Sequence, residues 1–343
     1  MNIPYRTQKR IKRILLILLV VILAAAVAFA CWAVWLQRFV VYTRDDGAVF
    51  RFDVDTEFTG AQLAVEPERQ TVSIYYNEGD NAVTSTQELT KVIGYYIDEK
   101  ALKGDMNAIR EQIRALEKGT PVMIDVKNIY GRFFYNSKVN DQRSDSIDPV
   151  AMESLLEFLD QSGMYTIARF PALRDYYYGL NNVPDGVPHS SGGYLYQDGD
   201  GCYWLNPDSG GTLKFIVDII QEVKAFGFDE VLLSDFAFPK TESILYRGDK
   251  AEALSSAAAT LLKTCGSSSF CISFAGDGTW VLPEGRTRLY LEGVSAAKVD
   301  EAAQEAAQNC GLADPDVNLV FVTDVHDTRF DAYGVLRPLE AAH

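Results

Sequence analysis

The sequence is poor in the residues from which metal centres and nucleophile triads are built. Its three histidines, His189, His326 and His343, stand far apart, and it has five cysteines. Cys31 falls in a long apolar run, which leaves Cys202, Cys265, Cys271 and Cys310. No two of these have a C-x2-C spacing, so no metal site is expected. Gly266 and three serines lie between Cys265 and Cys271, so a local loop could join those two; four cysteines allow three full pairings. There is no G-x-S-x-G, and neither His189 nor His326 accompanies a nucleophile turn, which argues against serine or cysteine hydrolysis. A G-x-G-x-x-G fingerprint is also missing, so a dinucleotide-binding open sheet is the weaker fold reading and no cofactor is expected. Internal repeats and low-complexity segments are absent.

Positive charge is scarce too. Lys and Arg number 32 against 47 Asp and Glu, a net charge of −15. A chain so acidic lacks the basic face that nucleic acid requires. The exception is the N-terminus, where Arg6, Lys9, Arg10, Lys12 and Arg13 precede a run from Ile14 to Leu36 without any charge. At helical rise this run would span about 34 Å, against a bilayer core of roughly 30 Å. A cleavable signal peptide has a shorter apolar region, and here the run closes with Trp32 and Trp35, an interfacial aromatic pattern. The expectation is an uncleaved anchor: 1–13 a basic cytoplasmic tail, 14–36 a single membrane span, and the remainder outside the cell.

Residues 37–90 read as a β-rich lead-in. Phe39 to Asp53 alternates around Asp45-Asp46-Gly47, a hairpin signal, and Gln70–Tyr76 with Asn81–Thr86 suggests a second. From 91 to 343 the texture changes to alternating strands and helices. Strands are expected at Val92–Ile97, Pro121–Val126, Tyr165–Phe170, Val231–Leu233, Phe270–Phe274, Arg288–Leu291 and Asn318–Thr323. Helices are expected at Asp105–Glu117, from Asp148-Pro149 through Asp160, and at Thr212–Phe226, Lys250–Thr264 and Ser295–Asn309. Such alternation over about 240 residues predicts parallel βα units. The fold class is thus α/β, a TIM-like (β/α)8 barrel one strand short of complete. The missing strand would lie in Tyr246–Ala275 or near Gly334–Leu336, or the barrel is incomplete.

The expected strand ends carry mostly acids. Asp125 and Lys127 close the second strand, Arg169 sits on the third, Glu230 and Asp235 bracket the fourth, and Asp324 ends the last. Barrel enzymes place catalytic groups at the C-terminal ends of strands. Glycoside hydrolysis needs two carboxylates there, about 5–5.5 Å apart for retention of configuration and roughly 6.5–9.5 Å for inversion. Asp235 with Glu230 or Asp324 is the expected pair. For each of these residues taken alone, an ion pair tying strand ends together is at least as good a reading. The segment Pro171–Gly211 is long for a compact domain and rich in tyrosine, with Trp204, which suits a sugar-stacking platform.

Several segments in order resemble the glycosyl hydrolase domain family of bacterial envelope proteins, a TIM-barrel family distantly similar to α-amylase-type barrels. They are Ile124-Asp125-Val126-Lys127-Asn128 with Gly131, Ile167-Ala168-Arg169 with Arg174-Asp175, Trp204-Leu205-Asn206-Pro207, and Gly227 to Pro239. The resemblance covers roughly residues 92–240 and implies a barrel acting on a polysaccharide or cell-wall glycan. It places Asp125, Lys127, Arg169, Asp175, Trp204 and Glu230 on family motif positions; Asn206 and Tyr177 join them as expected substrate contacts. Departures are also plain. Ser234 stands where the family has its strand-end aspartate, Asp235 where it has tyrosine, Ala237 where it has arginine, and Asn206 where aspartate is common. Because strand side chains alternate, Asp235 would face away from the barrel mouth unless the strand end is bulged or already turning. Two functions follow as expectations: a membrane-anchored extracellular glycoside hydrolase, or a catalytically degenerate barrel that binds glycan or assists envelope assembly.

The anchor expectation has a direct test. The full chain should sediment with membranes and resist alkaline carbonate extraction, and removal of residues 14–36 should release it into the soluble fraction.

Overall fold

The computed structural model describes residues 40–43, 47–50 and 89–339. The expected membrane span and the second expected hairpin lie outside the described residues. The chain divides into two compact units, 1–77 and 78–343. In the first, strands β1 (Val40–Thr43) and β2 (Gly47–Phe50) pair antiparallel, with Thr43 opposite Gly47, as the Asp-Asp-Gly turn implies.

The second unit is a closed barrel of eight parallel strands in the order β10-β3-β4-β5-β6-β7-β8-β9. These are β3 (Ile93–Ile97), β4 (Pro121–Asp125), β5 (Tyr165–Pro171), β6 (Glu230–Ser234), β7 (Cys271–Ala275), β8 (Leu289–Glu292), β9 (Leu319–Val322) and β10 (Gly334–Pro338). The eighth strand is the one expected near Gly334–Leu336. It was faint because only Val335 and Leu336 are apolar before Arg337 and Pro338, yet it closes the sheet by pairing with both β9 and β3. Proline ends that strand, where a missing donor costs little.

Helices fill the connections: α1 (Glu99–Leu102), α2 (Met106–Arg114), α3 (Pro149–Ser162), α4 (Tyr176–Asn181), α5 (Gly210–Ala225), α6 (Lys250–Cys265), α7 (Val299–Cys310) and α8 (Pro315–Asn318). Their starts follow from capping chemistry. Asp148 accepts from the Val150 amide at 3.0 Å with Pro149 in the first turn, and Gly163, at φ 71°, ends α3. Asp249, Asp105 and Ser209 cap α6, α2 and α5 in the same way.

Alternation sorts the strand residues into two cores. Ile124, Ala168, Val231, Leu233, Phe274, Leu291 and Phe321 pack outward with helix residues such as Leu155, Ile216, Ile219, Leu261 and Ala303. Met123, Ile167, Leu232, Tyr290, Val320 and Leu336 fill the barrel, with Tyr96 and Tyr165 against them. The barrel is therefore a packed interior rather than a pore.

Glu230 belongs to that interior and lies at its foot. As the first residue of β6 it stands at the end of the strand opposite Ser234. Its fully buried carboxylate accepts from Tyr165 Oη (2.8 Å), Ser273 Oγ (2.6 Å) and Tyr290 Oη (2.8 Å), and it pairs with the buried Arg288. Arg288 also donates to the Thr90 carbonyl at 2.9 Å. Burial, with the Glu230 charge adding, pushes the Tyr165 and Tyr290 phenols far up, so both remain donors. The expectation that Glu230 serves as a catalytic carboxylate thus meets a different arrangement, a saturated structural network away from the mouth.

Removing one member of a buried charge pair leaves the other uncompensated. Glu230→Ala should therefore lower unfolding free energy by about 3–5 kcal/mol in urea denaturation. A loss below about 1 kcal/mol would show that this network does not hold the foot together.

Candidate active site

At the C-terminal ends of the strands the interior turns polar again. Asp125, the last residue of β4, lies beside Arg169 in the register of β5. Arg169 grips it with two bonds, Nε to Oδ1 at 2.6 Å and Nη2 to Oδ2 at 3.1 Å. Its remaining nitrogen, Nη1, reaches across the mouth to Glu292 Oε1 at 3.0 Å, at the end of β8. Burial works against the guanidinium charge, but Asp125 and then Glu292 outweigh it and hold Arg169 above its ordinary range. Asp125 also accepts from the Glu99 amide at 2.9 Å, so the start of α1 is tied to the same carboxylate.

Beyond β4, Lys127 is buried with its ammonium on Asp175 Oδ2 (2.8 Å) and the Pro171 carbonyl (3.0 Å). Asp175 caps α4 through the Tyr178 amide at 2.7 Å. One pair thus joins the β4 exit to the long segment after β5. Gly131 permits it: at φ 78° it runs so close that a Cβ would lie 2.4 Å from Asp175 Oδ1.

The β6 exit is the unusual point. Ser234 faces inward with Leu232 and Glu230, so the next side chain should face the helices. Instead Asp235 adopts φ 48°, the one positive φ of a non-glycine among the described residues. The chain turns there, and Asp235 joins Ser234 on the wall of the cleft. Phe236 secures the turn by packing on Phe274 and Trp280, with ring centroids 4.8 and 5.4 Å away. A left-handed aspartate is tolerated but strained, and such strain gathers at functional sites.

The resulting cleft has a volume of about 280 Å³ and is lined by Glu99, Asp125, Lys127, Asn128, Ile129, Arg169, Pro171, Ser234, Asp235 and Glu292. Asp125 is spent on Arg169. Asp235 accepts no hydrogen bond or ion pair among the described residues. Burial, with the Glu292 charge adding, raises its pKa above the usual carboxylate value against the opposing pull of Arg174, Lys127 and Arg169. Glu292 is exposed, and among the described residues its one bonding partner is Arg169. The mouth therefore contains one carboxyl group biased toward its protonated form and one carboxylate beside a cation.

The structure brings Asp125, Lys127, Arg169 and Asp235 to one cleft, with Asp175 directly behind Lys127. Asp324 follows β9, is exposed and is not in the lining, although its charge is felt by Tyr96. Tyr177, Trp204 and Asn206 do not line the cleft either. The Trp204 indole donates to Asp198 at 3.0 Å beneath Arg174, whose guanidinium lies 5.8 Å from the ring centroid. Asn206 serves a turn, accepting from the Asp208 amide at 3.1 Å. The loop tyrosines largely pack on one another and on the core, as Tyr178 does on Phe215 at 4.0 Å and Tyr176 on Tyr203 at 5.8 Å. Glu292 is not among the residues expected from sequence, because the apolar pattern of Arg288–Leu291 ends one residue before it while the strand itself extends to Glu292. Its signal is the one Asp125 also carries, an acid directly after an apolar run.

Cys202, Cys265, Cys271 and Cys310 are buried free thiols, so the Cys265–Cys271 loop does not close. Burial pushes the Cys202, Cys265 and Cys310 thiols up to about 11 and Cys271 to about 12, far from the thiolate that a nucleophile needs. Among the described residues no group of three or more His, Cys, Asp or Glu is placed to hold a metal ion.

No curated protein matches the chain. Among solved structures, a hypothetical protein from Ruminiclostridium thermocellum is 16% identical with a TM-score of 0.45, covering 57% of this chain and 96% of its own. The α-galactosidase TtGalA from Thermus thermophilus is 13% identical with a TM-score of 0.47, covering 74% of this chain and 59% of its own. The glycoside hydrolase domain of PelA from Pseudomonas aeruginosa is 11% identical with a TM-score of 0.46, covering 74% of this chain and 96% of its own. At such values no substrate or residue role passes from them to this chain. Residues 94–265 match a family described as "Putative glycosyl hydrolase domain", and the chain belongs to that family.

Proposed function

We propose that this chain is a membrane-anchored, extracellular glycoside hydrolase that cleaves an envelope or environmental glycan with Asp235 and Glu292. The observation that carries the reading is the left-handed turn at Asp235, which swings an otherwise misplaced carboxyl group into the cleft beside Glu292. Asp235, desolvated and without a hydrogen-bond partner among the described residues, is the general acid that protonates the glycosidic oxygen. Glu292, paired with Arg169 Nη1 at 3.0 Å, is the nucleophile or the base that activates water. Asp324 and Glu230, the partners expected for Asp235, are replaced in this scheme by Glu292. Asp125 holds Arg169 in place, and Lys127 with Asp175 fixes the loop that completes the wall. With Asp235 carrying its proton, the three other lining acids, Glu99, Asp125 and Glu292, still outnumber the two cations, which disfavours anionic sugars and favours neutral or amino sugars.

A second reading has its own support. Ser234 occupies the inward strand-end position where the family has aspartate, and a barrel without turnover could bind glycan in the same cleft. Arg169, engaged by both Asp125 and Glu292, would then be an architectural clamp.

The full chain should release reducing ends from at least one member of a panel of peptidoglycan, chitin and α- and β-glucans. Asp235→Asn and Glu292→Gln should each lower kcat by about 10²–10⁴-fold with the fold intact. Hydrolysis unchanged in both variants would remove these assignments, and tight glycan binding without any turnover would favour the second reading.

Linkage supplies an independent check. The folded-state pKa of Asp235 is raised, so its contribution to stability is present below the unfolded carboxylate pKa and is lost as pH rises through the folded value. Asp235→Asn should accordingly raise Tm relative to the unsubstituted chain at neutral pH, with the gain shrinking as the buffer is acidified. A gain independent of pH would contradict a raised pKa.

A further inference from the structure

Two residues beyond Asp235 the chain enters the wall of a second cavity, with a volume of about 360 Å³. It lies between the segments that follow β6 and β7, at the same end of the barrel as the cleft. Its apolar side is formed by Phe238 and Pro239, both buried. The Phe238 ring rests on Tyr246, with centroids 4.5 Å apart. The polar side carries Lys240 and Asp277, paired at 3.0 Å, together with Thr241, Glu242, Lys250 and Thr279. Burial opposes ionisation of Asp277, but bonds from Thr279 and Lys240 outweigh it and lower its pKa, so it is a charged acceptor. Two cations face two carboxylates here, and an apolar wall faces donors and acceptors. That combination suits an uncharged polyhydroxylated ring, which presents C–H surface on its faces and hydroxyls around its edge.

We infer that this cavity is the leaving-group subsite, holding the sugar unit on the far side of the bond that Asp235 protonates. The inference rests on the proposed glycosidase reading and deepens it. A general acid must lie beside the oxygen it protonates, and Asp235 lies on the stretch of chain between the two cavities. In the reaction the Asp235 proton passes to the glycosidic oxygen, and the C1–O bond breaks with its electron pair on that oxygen. The unit in the second cavity leaves with a new hydroxyl. Water finally supplies hydroxide to C1: where Glu292 has bonded there, the C1–Glu292 bond breaks and the water proton returns to Asp235, and where water attacks directly, Glu292 takes that proton and solvent reprotonates Asp235. The first cleft lies just below the roughly 300–1,000 Å³ of common ligand pockets, so a single ring fills it. The substrate is then an oligosaccharide or polysaccharide held on both sides of the scissile bond, not a small glycoside.

The test measures binding of chitin oligosaccharides and maltooligosaccharides, from monosaccharide to hexasaccharide, to the full chain in detergent by calorimetry. Product lengths are followed in parallel. Lys240→Ala and Thr279→Trp remove an exposed polar contact and fill the cavity, respectively, with circular dichroism and Tm as folding controls. For the unsubstituted chain the affinity should rise about tenfold or more on passing from the monosaccharide to longer chains, and both variants should lose that rise. An unchanged rise in folded variants would overturn the subsite and leave the glycosidase reading standing. Absence of both binding and hydrolysis for every probe would overturn the two together.

Discussion

One guanidinium organises the mouth of this barrel. Arg169 projects from β5, takes both oxygens of Asp125 on the neighbouring strand, and still reaches Glu292 on β8 across the opening. A planar fork with five donors can do this where an ammonium could not. Through Asp125 it also fixes the start of α1, whose Glu99 amide uses the same carboxylate. The cleft is thus braced from three strands and one helix, and its free chemistry is what remains after those bonds are made. What remains is Asp235, with Glu292 held only from one side.

The rest of the architecture serves to keep that residue available. The buried Lys127–Asp175 pair draws the long segment after β5 against the β4 exit. Lower down, the aliphatic interior of the barrel separates the mouth from a second charged assembly around Glu230 and Arg288. Two acids near the ends of one short strand therefore have opposite fates. Glu230 is saturated by four partners and serves stability. Asp235 has none among the described residues and is desolvated, which favours the protonated form of a carboxyl group.

Much of the barrel was legible because its signals are local. Apolar runs, aspartate caps and the Asp148-Pro149 start place seven strands within a residue of their bounds and three of the main helices within two, while Asp105–Glu117 runs three residues too far and Ser295–Asn309 starts four too early. The eighth strand, Gly334–Pro338, carried two apolar residues and needed the closing partners β9 and β3 to declare itself. The candidate site was half legible for a similar reason. Residue types at strand ends pointed to Asp125, Lys127, Arg169 and Asp235; the family resemblance put Asp235 one place late, and alternation required a bulge or turn for it to reach the mouth. What alternation could not supply was the φ of 48° that turns it inward, since this depends on Phe236 packing against Phe274 and Trp280 from other parts of the chain. The same limit applies to Glu230: its motif position is visible in sequence, but whether it lies at the foot or the mouth of the barrel is a matter of strand register.

The account turns on the protonation of Asp235, and a residue-resolved titration of its side-chain carboxyl carbon by NMR measures that most directly. The resonance should titrate above the ordinary carboxylate value of 3.8. Glu292→Gln should shift it part of the way down, since burial remains when the neighbouring charge is gone. A midpoint at or below 3.8, unmoved by Glu292→Gln, would contradict a desolvated acid coupled to Glu292 and with it the catalytic reading of this cleft.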